Sequence, residues 1–269
     1  MKNKKPVILL LDLETAPLLG SVWGLFEQNL SLSMINKDWH LLSYACKYYK
    51  AEDGTLYGPH NKVMYGDQKN SKNIEDDKPL LKKLWDLVNS ADILMTQNGV
   101  KFDYKKLNSR FLLNGLPPTS QIRHLDSLKI VKKHFSLTSN KLEYLTGKLC
   151  TRYKKQSHKK YPGFELWRGC LAGDEKAWIE MKKYNIYDIL SLEELFHKLS
   201  PWDNSINFNV YHDQLNNICT CGSKKFIKKG YAYTNTGRFQ RFKCSSCGRN
   251  TTSKVNLLSK EKKASLRKS

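Results

Sequence analysis

Two carboxylates interrupt an apolar run near the amino terminus. Residues 7–13 are almost continuously apolar, as in a buried central strand, and Asp12 and Glu14 stand at the end of this run. Side chains two residues apart in a strand point to the same face, so the two carboxylates would lie side by side. Adjacent like charges destabilise a fold unless a cation offsets them, and carboxylate oxygens suit Mg²⁺ or Mn²⁺. For these two residues alone, solvated carboxylates at a strand end are the alternative.

A third carboxylate follows a second predicted strand. Asp103 comes after a strand predicted over 93–96 and the turn signal Asn98-Gly99, at the start of a helix predicted over 104–113. This position fits a sheet edge that faces Asp12 and Glu14. An aspartate that simply caps the helix is the alternative.

The fourth carboxylate lies on the longest predicted helix, over 175–199. Tyr184 and Asp188 are spaced i, i+4 and therefore share one helix face. A half-buried tyrosine and an exposed aspartate are the alternatives. Asp126 and Asp174 compete for a ligand role, and Asp126 is interpreted as a helix N-terminal or structural residue.

Taken together, these segments resemble a known family. Asp-x-Glu on a first strand, Asn-Gly-x-x-Phe-Asp in the middle and Tyr-x-x-x-Asp on a late helix are similar to the DEDD 3′–5′ exonucleases of the RNase H-like superfamily. The tyrosine marks the DEDDy branch, which includes the proofreading domains of DNA polymerases. The resemblance covers residues 6–200 and implies an RNase H-like mixed α/β sheet flanked by helices. It also implies a stand-alone exonuclease, similar to phage-encoded replication or repair nucleases.

The resemblance implies a role for each motif residue. The four carboxylates would hold two divalent cations, Mg²⁺ or Mn²⁺. Tyr184 would orient the attacking water, because a phenol with a pKa of about 10 is a poor base at neutral pH. The main chain around Thr15 and the side chains of Asn98 and Phe102 would hold the terminal nucleotides, with a core aromatic as the alternative for Phe102. The predicted metal ligands are Asp12, Glu14, Asp103 and Asp188.

A basic stretch over residues 152–160 follows the predicted nucleotide site. It would line a path for a single strand, or form a solvated basic loop. Its cations are Arg152, Lys154, Lys155, Lys159 and Lys160, with Tyr153 and Tyr161 nearby.

Four of the seven cysteines form two close pairs, Cys219 with Cys221 and Cys244 with Cys247. In a chain expected to be cytoplasmic, such pairs indicate a metal site before a disulfide framework. A glycine follows each pair, which gives the tight turn that aims two sulfurs at one ion, and a hairpin pattern lies between the pairs. The unit resembles the small zinc ribbons of transposases and phage nucleases, which implies one structural Zn²⁺. The first pair departs from that pattern, because it is Cys-x-Cys where a ribbon has Cys-x-x-Cys.

Positive charge is concentrated in the same region. The chain of 269 residues carries a net charge of +21, and residues from 218 onward contribute +13. Such an excess destabilises the compact state, so it indicates a polyanionic partner. Nucleic acid fits best, with DNA favoured over RNA, and an anionic membrane surface is second. Phosphate contacts are expected above all from Lys224, Lys225, Arg238 and Arg241.

The elements that must position these groups form an α/β pattern. Strands are predicted over 7–13, 41–49, 55–65 and 93–96. Helices are predicted from Pro79 and over 104–113, 126–135, 141–149 and 175–199, with a basic loop over 151–170. The predicted arrangement is an exonuclease domain over 1–202, a linker over 203–217, a zinc ribbon over 218–252 and a basic tail over 253–269. No apolar run reaches the length of about 20 residues that spans a bilayer, and a cytoplasmic protein is expected.

Three functions remain open from the residues. The first is a 3′–5′ exonuclease on single-stranded DNA in replication or repair, with a replication protein as a candidate partner. The second is a nucleic-acid-binding protein that keeps the fold without the chemistry, against which the four carboxylates and Tyr184 argue. The third is an RNase H-like endonuclease or ribonuclease, which the cysteine unit favours and the Tyr-x-x-x-Asp helix disfavours.

Overall fold

A six-stranded mixed sheet forms the centre of the protein in a computed structural model, which describes residues 5–155, 160–211 and 217–267. Of the predicted basic cations, Lys159 lies outside the described residues. The strands are β1 Ile8–Thr15, β2 Leu19–Gly20, β3 Ile35–Lys37, β4 Leu41–Lys50, β5 Leu56–Tyr57, β6 Val63–Asp67, β7 Ile93–Thr96, β8 Arg123–Asp126, β9 Phe226–Thr234, β10 Gly237–Cys244 and β11 Asn250–Asn256. The helices are α1 Lys78–Asn89, α2 Asp103–Leu113, α3 Ser127–His134, α4 Leu142–Leu149, α5 Glu165–Leu171, α6 Glu175–Leu199 and α7 Lys260–Ser265.

Strand β1 lies in the middle of the sheet and is apolar because both of its faces are covered. The strand order is β5-β4-β1-β7-β8, and β6 also pairs with β4. Strand β1 runs antiparallel to β4 and parallel to β7, which in turn is parallel to β8. Ile8 and Leu10 pack in the core that includes α6, whereas Leu9 and Leu11 pack against α1 and α2. The predicted α/β class, a mixed sheet flanked by helices, is confirmed.

Helix α6 packs across the sheet and places its middle turn at the carboxyl end of β1. Its predicted bounds are confirmed, and Asp174 caps it by accepting the N–H of Lys176 at 2.8 Å. The buried face of α6 includes Asp188, Ile189, Leu192 and others that reach the sheet. The same helix therefore carries both core residues and a site carboxylate.

Three sequence predictions of elements are wrong in part. The strand predicted over 55–65 is two strands, β5 and β6, because the chain leaves the sheet at Gly58-Pro59, where Gly58 lies against the Tyr48 ring and proline cannot donate to a ladder. The helix predicted over 126–135 begins at Ser127, and strand β8 precedes it. The loop predicted over 151–170 contains most of α5.

The carboxyl-terminal unit is a three-stranded antiparallel sheet in the order β11-β10-β9. The predicted hairpin around residues 235–237 is present, and β11 adds a third strand that the sequence pattern did not indicate. Buried Arg249 joins this unit to the end of α6, since its Nη1 donates to the Thr220 hydroxyl at 2.5 Å and to the carbonyl of Ser200 at 3.5 Å. Ile206 and Phe208, within the predicted linker, are buried in the main core.

Candidate active site

The carboxyl end of β1 presents Asp12 and Glu14 on the face that helix α6 covers. In the sheet register, Asp12 stands opposite Ala45 and Glu14 opposite Ser43. Asn185 of α6 donates from Nδ2 to Asp12 Oδ2 at 2.5 Å and accepts from the Ser43 hydroxyl at 3.2 Å. A neutral amide therefore orients Asp12 without cancelling its charge.

Asp188 brings a third carboxylate to this point from α6. Oxygen atoms of Asp12, Glu14 and Asp188 all lie within 4.8 Å of one another. Three hard oxygen ligands in this arrangement fit a divalent cation such as Mg²⁺ or Mn²⁺. The i, i+2 spacing on β1 and the i, i+4 spacing on α6 thus bring their carboxylates together.

Asp103 lies beside this cluster but is not among the carboxylates whose oxygen atoms fall within 4.8 Å of one another. It is the first residue of α2 and is buried, and its Oδ1 accepts the backbone N–H of Leu13 at 3.2 Å. Its charge also raises the pKa values of Asp12 and Glu14. The alternative of a helix cap is therefore insufficient, because the side chain contacts the neighbouring strand.

Burial and the repulsion between like charges disfavour the ionised form of the carboxyl groups at this site. Burial first, and then the charges of Asp188, Glu14 and Asp103, raise the pKa of Asp12 well above its ordinary value. Burial and Asp188 raise the pKa of Glu14 to about 8, and burial raises that of Asp103 to about 7. Several strongly perturbed groups in one place are typical of a functional site and support this assignment.

Tyr184 lies one turn before Asp188 and remains un-ionised. Burial, followed by the charge of Asp188, raises the pKa of Tyr184 above its ordinary value of 10.0. The ring stands edge-on to Trp167, with centroids 6.1 Å apart. The phenol therefore acts as a hydrogen-bonding group and not as a base at neutral pH.

Sequence reasoning missed three residues that contact the carboxylates directly, namely Asn185, described above, Trp167 and Lys155. Trp167 of α5 donates from its indole nitrogen to Glu14 Oε2 at 3.2 Å. Lys155 forms an ion pair with Asp188, and its ammonium lies 4.2 Å from the centroid of the Tyr184 ring. Burial alone would lower the pKa of Lys155, but the charges of Asp188 and its neighbours raise it. Lys155 was noticed only as one member of a basic stretch, and nothing local marks Trp167.

The three residues predicted to hold terminal nucleotides differ in their surroundings. Thr15 ends β1 at an irregularity in the pairing with β4. Asn98 has a φ of +64°, which asparagine tolerates, and its backbone N–H donates to Asp126 Oδ1 at 2.9 Å. Phe102 is 42% exposed beside Asp103, so the alternative of a core aromatic is wrong.

The two competing aspartates have structural positions. Asp126 caps α3 by accepting the N–H of Leu128, in agreement with its interpretation as a helix N-terminal residue. Asp174 caps α6 and accepts the Tyr161 hydroxyl at 2.8 Å. Neither belongs to the set of carboxylates within 4.8 Å of one another among the described residues.

The four paired cysteines converge at the base of the β9–β10 hairpin. The Sγ atoms of Cys219 and Cys247 lie 3.5 Å apart, those of Cys221 and Cys244 lie 3.7 Å apart, and all four fall within 4.8 Å. Sulfurs bound tetrahedrally at the usual Zn–S distance of about 2.3 Å would lie about 3.8 Å apart. The four sulfurs therefore fit one tetrahedral ion, the Cys-x-Cys spacing included.

Backbone geometry supports these cysteine turns. The glycine after each pair has a positive φ, +92° at Gly222 and +78° at Gly248. Burial raises the pKa values of the Cys221 and Cys247 thiols. Burial also acts to raise the pKa of Cys244, but the N–H groups of Cys247 and Ser246, together with the neighbouring sulfurs, outweigh it and lower the value to about 7. Thiolates stabilised by N–H donors are the form that binds metal.

The predicted phosphate contacts of this unit face solvent. Lys224, Lys225 and Arg241 are exposed, whereas Arg238 is half-buried with its guanidinium 5.2 Å from the Tyr231 ring. Tyr231 and Tyr233 are themselves 43% and 71% exposed. Cations and aromatic faces are thus presented together on this sheet.

Comparison with known proteins identifies the main domain. The RNase_H_2 family model, described as RNase_H superfamily, matches residues 54–200, more than half of the chain. The chain belongs to the RNase H superfamily. The matched residues include Asp103 and Asp188, while Asp12 and Glu14 precede them on β1.

A solved structure shares this RNase H-like fold. The family B DNA polymerase from the hyperthermophilic archaeon Pyrobaculum calidifontis matches 73% of this chain with a TM-score of 0.50 and 15% sequence identity. The match covers 25% of the polymerase chain, so this protein spans about a quarter of that relative. No curated protein matches the sequence. Among the described residues of this RNase H superfamily member, we find no helix of the length and apolarity that a membrane crossing requires.

Proposed function

We propose that the protein is a metal-dependent 3′–5′ exonuclease of the DEDDy type that removes nucleotides from single-stranded DNA. The observation that carries this proposal is the meeting of Asp12, Glu14 and Asp188 within 4.8 Å, with Asp103 beside them. Membership of the RNase H superfamily supports a nuclease, and the fold shared with a DNA polymerase favours DNA. A role in replication or repair, in the cytoplasm, follows from the resemblance to phage-encoded nucleases.

The four carboxylates would hold two Mg²⁺ or Mn²⁺ ions. When bound, such ions supply an activated water and stabilise the charge that develops on the phosphate and the leaving oxygen. The donor set fits them, because it consists of hard oxygens with an excess of negative charge in a partly enclosed site. Asn185, Trp167 and the Leu13 N–H hold the carboxylate oxygens in place through neutral hydrogen bonds.

Further side chains would contact the attacking water and the substrate. Tyr184 orients the water, since its hydroxyl stays protonated at neutral pH. Lys155 brings a permanent positive charge to the edge of the carboxylates, where a phosphate oxygen would lie. Exposed Phe102 stacks on the terminal base, and Asn98 with the main chain of Thr15 completes the nucleotide subsite.

The cysteine unit would bind one structural Zn²⁺ through Cys219, Cys221, Cys244 and Cys247. Four protein ligands close such a site to catalysis, so its purpose is to stabilise a small sheet with little core of its own. Lys224, Lys225, Arg238 and Arg241 on this sheet would contact phosphates and retain the substrate. We retain the division into a domain over 1–202, a linker over 203–217, a ribbon over 218–252 and a basic tail as part of this proposal.

A cleavage assay tests the proposal directly. The substrate is 5′-labelled single-stranded DNA with Mg²⁺ or Mn²⁺, and the comparison is between the wild type, Asp188→Ala and the control Asp86→Ala, which removes an exposed carboxylate from α1. We expect a ladder that shortens from the 3′ end with the wild type and the control, and none with Asp188→Ala. A ladder on RNA alone would change the substrate, and cuts in circular single strands would indicate an endonuclease. Inactivity on every substrate would leave a nucleic-acid-binding protein.

A further inference from the structure

Residues 151–155, which include the first part of the basic stretch, are held to helix α6 by one carboxylate. Glu194 accepts the backbone N–H groups of Thr151, Arg152 and Tyr153 and the Thr151 hydroxyl, at 2.7–3.2 Å. The negative charge of Glu194 is thereby directed to the main chain. The side chains of Arg152 and Lys154 are left exposed at the surface.

One side of helix α6 continues this surface. Tyr187, Glu194 and Lys198 are spaced i, i+7 and i+11, so they lie along the same side of the helix. The rings of Tyr153 and Tyr187 meet edge to face with centroids 6.2 Å apart, and Tyr153 is 37% exposed. Aromatic and basic groups therefore share one side of α6.

The cations of this surface are grouped around Glu194. Lys198 follows Glu194 by one turn of α6, and the Glu194 carboxylate accepts the backbone N–H groups of Arg152 and Tyr153, the residues that precede Lys154. Arg152, Lys154 and Lys198 form no salt bridge with any other described residue. Their charges are available to a ligand.

The surface formed by residues 151–155 and this side of α6 connects the two regions that are proposed to bind nucleic acid. At one end Lys155 pairs with Asp188 of the carboxylate cluster. At the other end the carbonyl of Ser200, just beyond α6, accepts from Arg249 of the cysteine unit. The helical rise of about 1.5 Å per residue puts these ends about 18 Å apart. A stacked strand with a spacing of about 3.4 Å covers that distance with about five nucleotides.

We propose that Arg152, Lys154 and Lys198, together with Tyr153, form a basic stripe that guides one nucleic-acid strand from the cysteine unit to the carboxylate cluster. This inference rests on the nucleic-acid substrate of the proposed function. A single strand fits better than a duplex, because an exposed tyrosine can stack only on a base that is unpaired. The stripe would hold the nucleotides directly behind the 3′ terminus.

Binding measurements in buffer free of Mg²⁺ and Mn²⁺, without a chelator so that the cysteine unit keeps its Zn²⁺, test the stripe independently of cleavage. The full-length triple variant Arg152→Ala/Lys154→Ala/Lys198→Ala is compared with Lys82→Ala/Lys83→Ala/Lys105→Ala, which removes the same charge from exposed positions on α1 and α2, across the sheet. The probes are labelled single-stranded oligonucleotides of increasing length. Each lost phosphate contact lowers the magnitude of the slope of log affinity against log salt by about 0.7. The slope of the stripe variant should therefore be smaller by about 2, whereas the slope of the control variant should not change.

The dependence on length gives the sharper result. We expect the loss of affinity in the stripe variant to increase as the probe is lengthened from about two to about seven nucleotides. For longer probes the loss should stay constant. Tyr153→Leu, which keeps an apolar side chain without the ring, should weaken single-strand binding about tenfold and leave duplex binding unchanged. An equal loss in the control variant, a loss independent of length, or an equal loss on duplex DNA would overturn the stripe. If these binding results hold while no DNA or RNA is cleaved, the nuclease proposal fails and the stripe stands.

Discussion

Replacement of Glu14 by glutamine should stabilise the metal-free protein while it abolishes the proposed activity. The pKa of Glu14 rises from 4.5 to about 8 through burial and the neighbouring Asp188. A carboxyl whose pKa is raised in the folded state binds its proton more tightly when folded than when unfolded. The free energy of unfolding therefore falls as pH rises from 4.5 towards 8. Glutamine carries no charge, so the free energy of unfolding of the variant does not fall in this way as pH rises. Its side-chain oxygen can still accept the indole N–H of Trp167.

The expected size follows from the same shift. Each pKa unit corresponds to about 1.4 kcal/mol. At pH 7 the raised pKa of Glu14 therefore lowers the free energy of unfolding by up to about 3 kcal/mol. Glu14 keeps some contact with solvent and shares its proton with the other carboxylates, which reduces the expected gain to about 1–3 kcal/mol. For a domain of this size the gain corresponds to a rise in Tm of about 2–10 °C. At pH 5 it should fall below about 1 kcal/mol, because the wild-type carboxyl is then largely protonated in the folded state.

Thermal and urea unfolding in Mg²⁺-free buffer without a chelator at pH 5 and pH 7 measure this effect, with Glu52→Gln as a control at an exposed position. Addition of Mg²⁺ should then stabilise the wild type and the control but leave Glu14→Gln nearly unchanged. A Glu14→Gln protein no more stable than the wild type in Mg²⁺-free buffer at pH 7 would refute the reasoning about buried like charges. An equal response to Mg²⁺ would show that Glu14 does not contribute to the metal site.

Three further perturbations address single contacts of the two sites. Trp167→Phe removes the indole donor to Glu14 and keeps an aromatic ring, so we expect the Mg²⁺ concentration for half-maximal cleavage to rise about tenfold with little change in Tm. Lys155→Met keeps the aliphatic stem but removes the charge beside Asp188, which should lower kcat about a hundredfold while Mg²⁺ binding persists in a calorimetric titration. Cys221→Ser should reduce the zinc content measured by elemental analysis from one per chain and make the cysteine unit sensitive to proteolysis, whereas unchanged zinc would contradict a four-sulfur site.

Local sequence patterns predicted the elements whose signal is strong within the element itself. Strand β7 and helix α6 have the predicted bounds, because a short apolar run and a long apolar periodicity specify them. Strand β8 escaped prediction because only Leu125 in it is both apolar and buried, and its pairing with β7 depends on the rest of the sheet. Helix α5 is short and follows a basic, glycine-containing stretch that resembles a loop.

The same distinction applies to the candidate site. The carboxylates on β1 and α6 could be grouped because strand and helix periodicities place side chains on one face, and a family resemblance ordered the motifs. Trp167 and Asn185 could not be found in this way, because they reach Glu14 and Asp12 across more than 150 positions of sequence. A tryptophan or an asparagine on a helix carries no local sign of the partner that the fold will bring to it.

Charge balance explains why the site is built with neutral supports. An amide, an indole and a backbone N–H orient the carboxylates and leave their charges intact, and Lys155 is the cation in ion-pair contact with the cluster among the described residues. When metal binding has removed their protons, four carboxylates and one ammonium carry an excess of three negative charges, which one divalent ion cannot neutralise. Two divalent ions exceed it by a single positive charge, the charge that one bound phosphodiester would cancel. The arrangement of neutral donors around four acids is therefore better suited to two ions with a nucleic-acid phosphate than to either ligand alone.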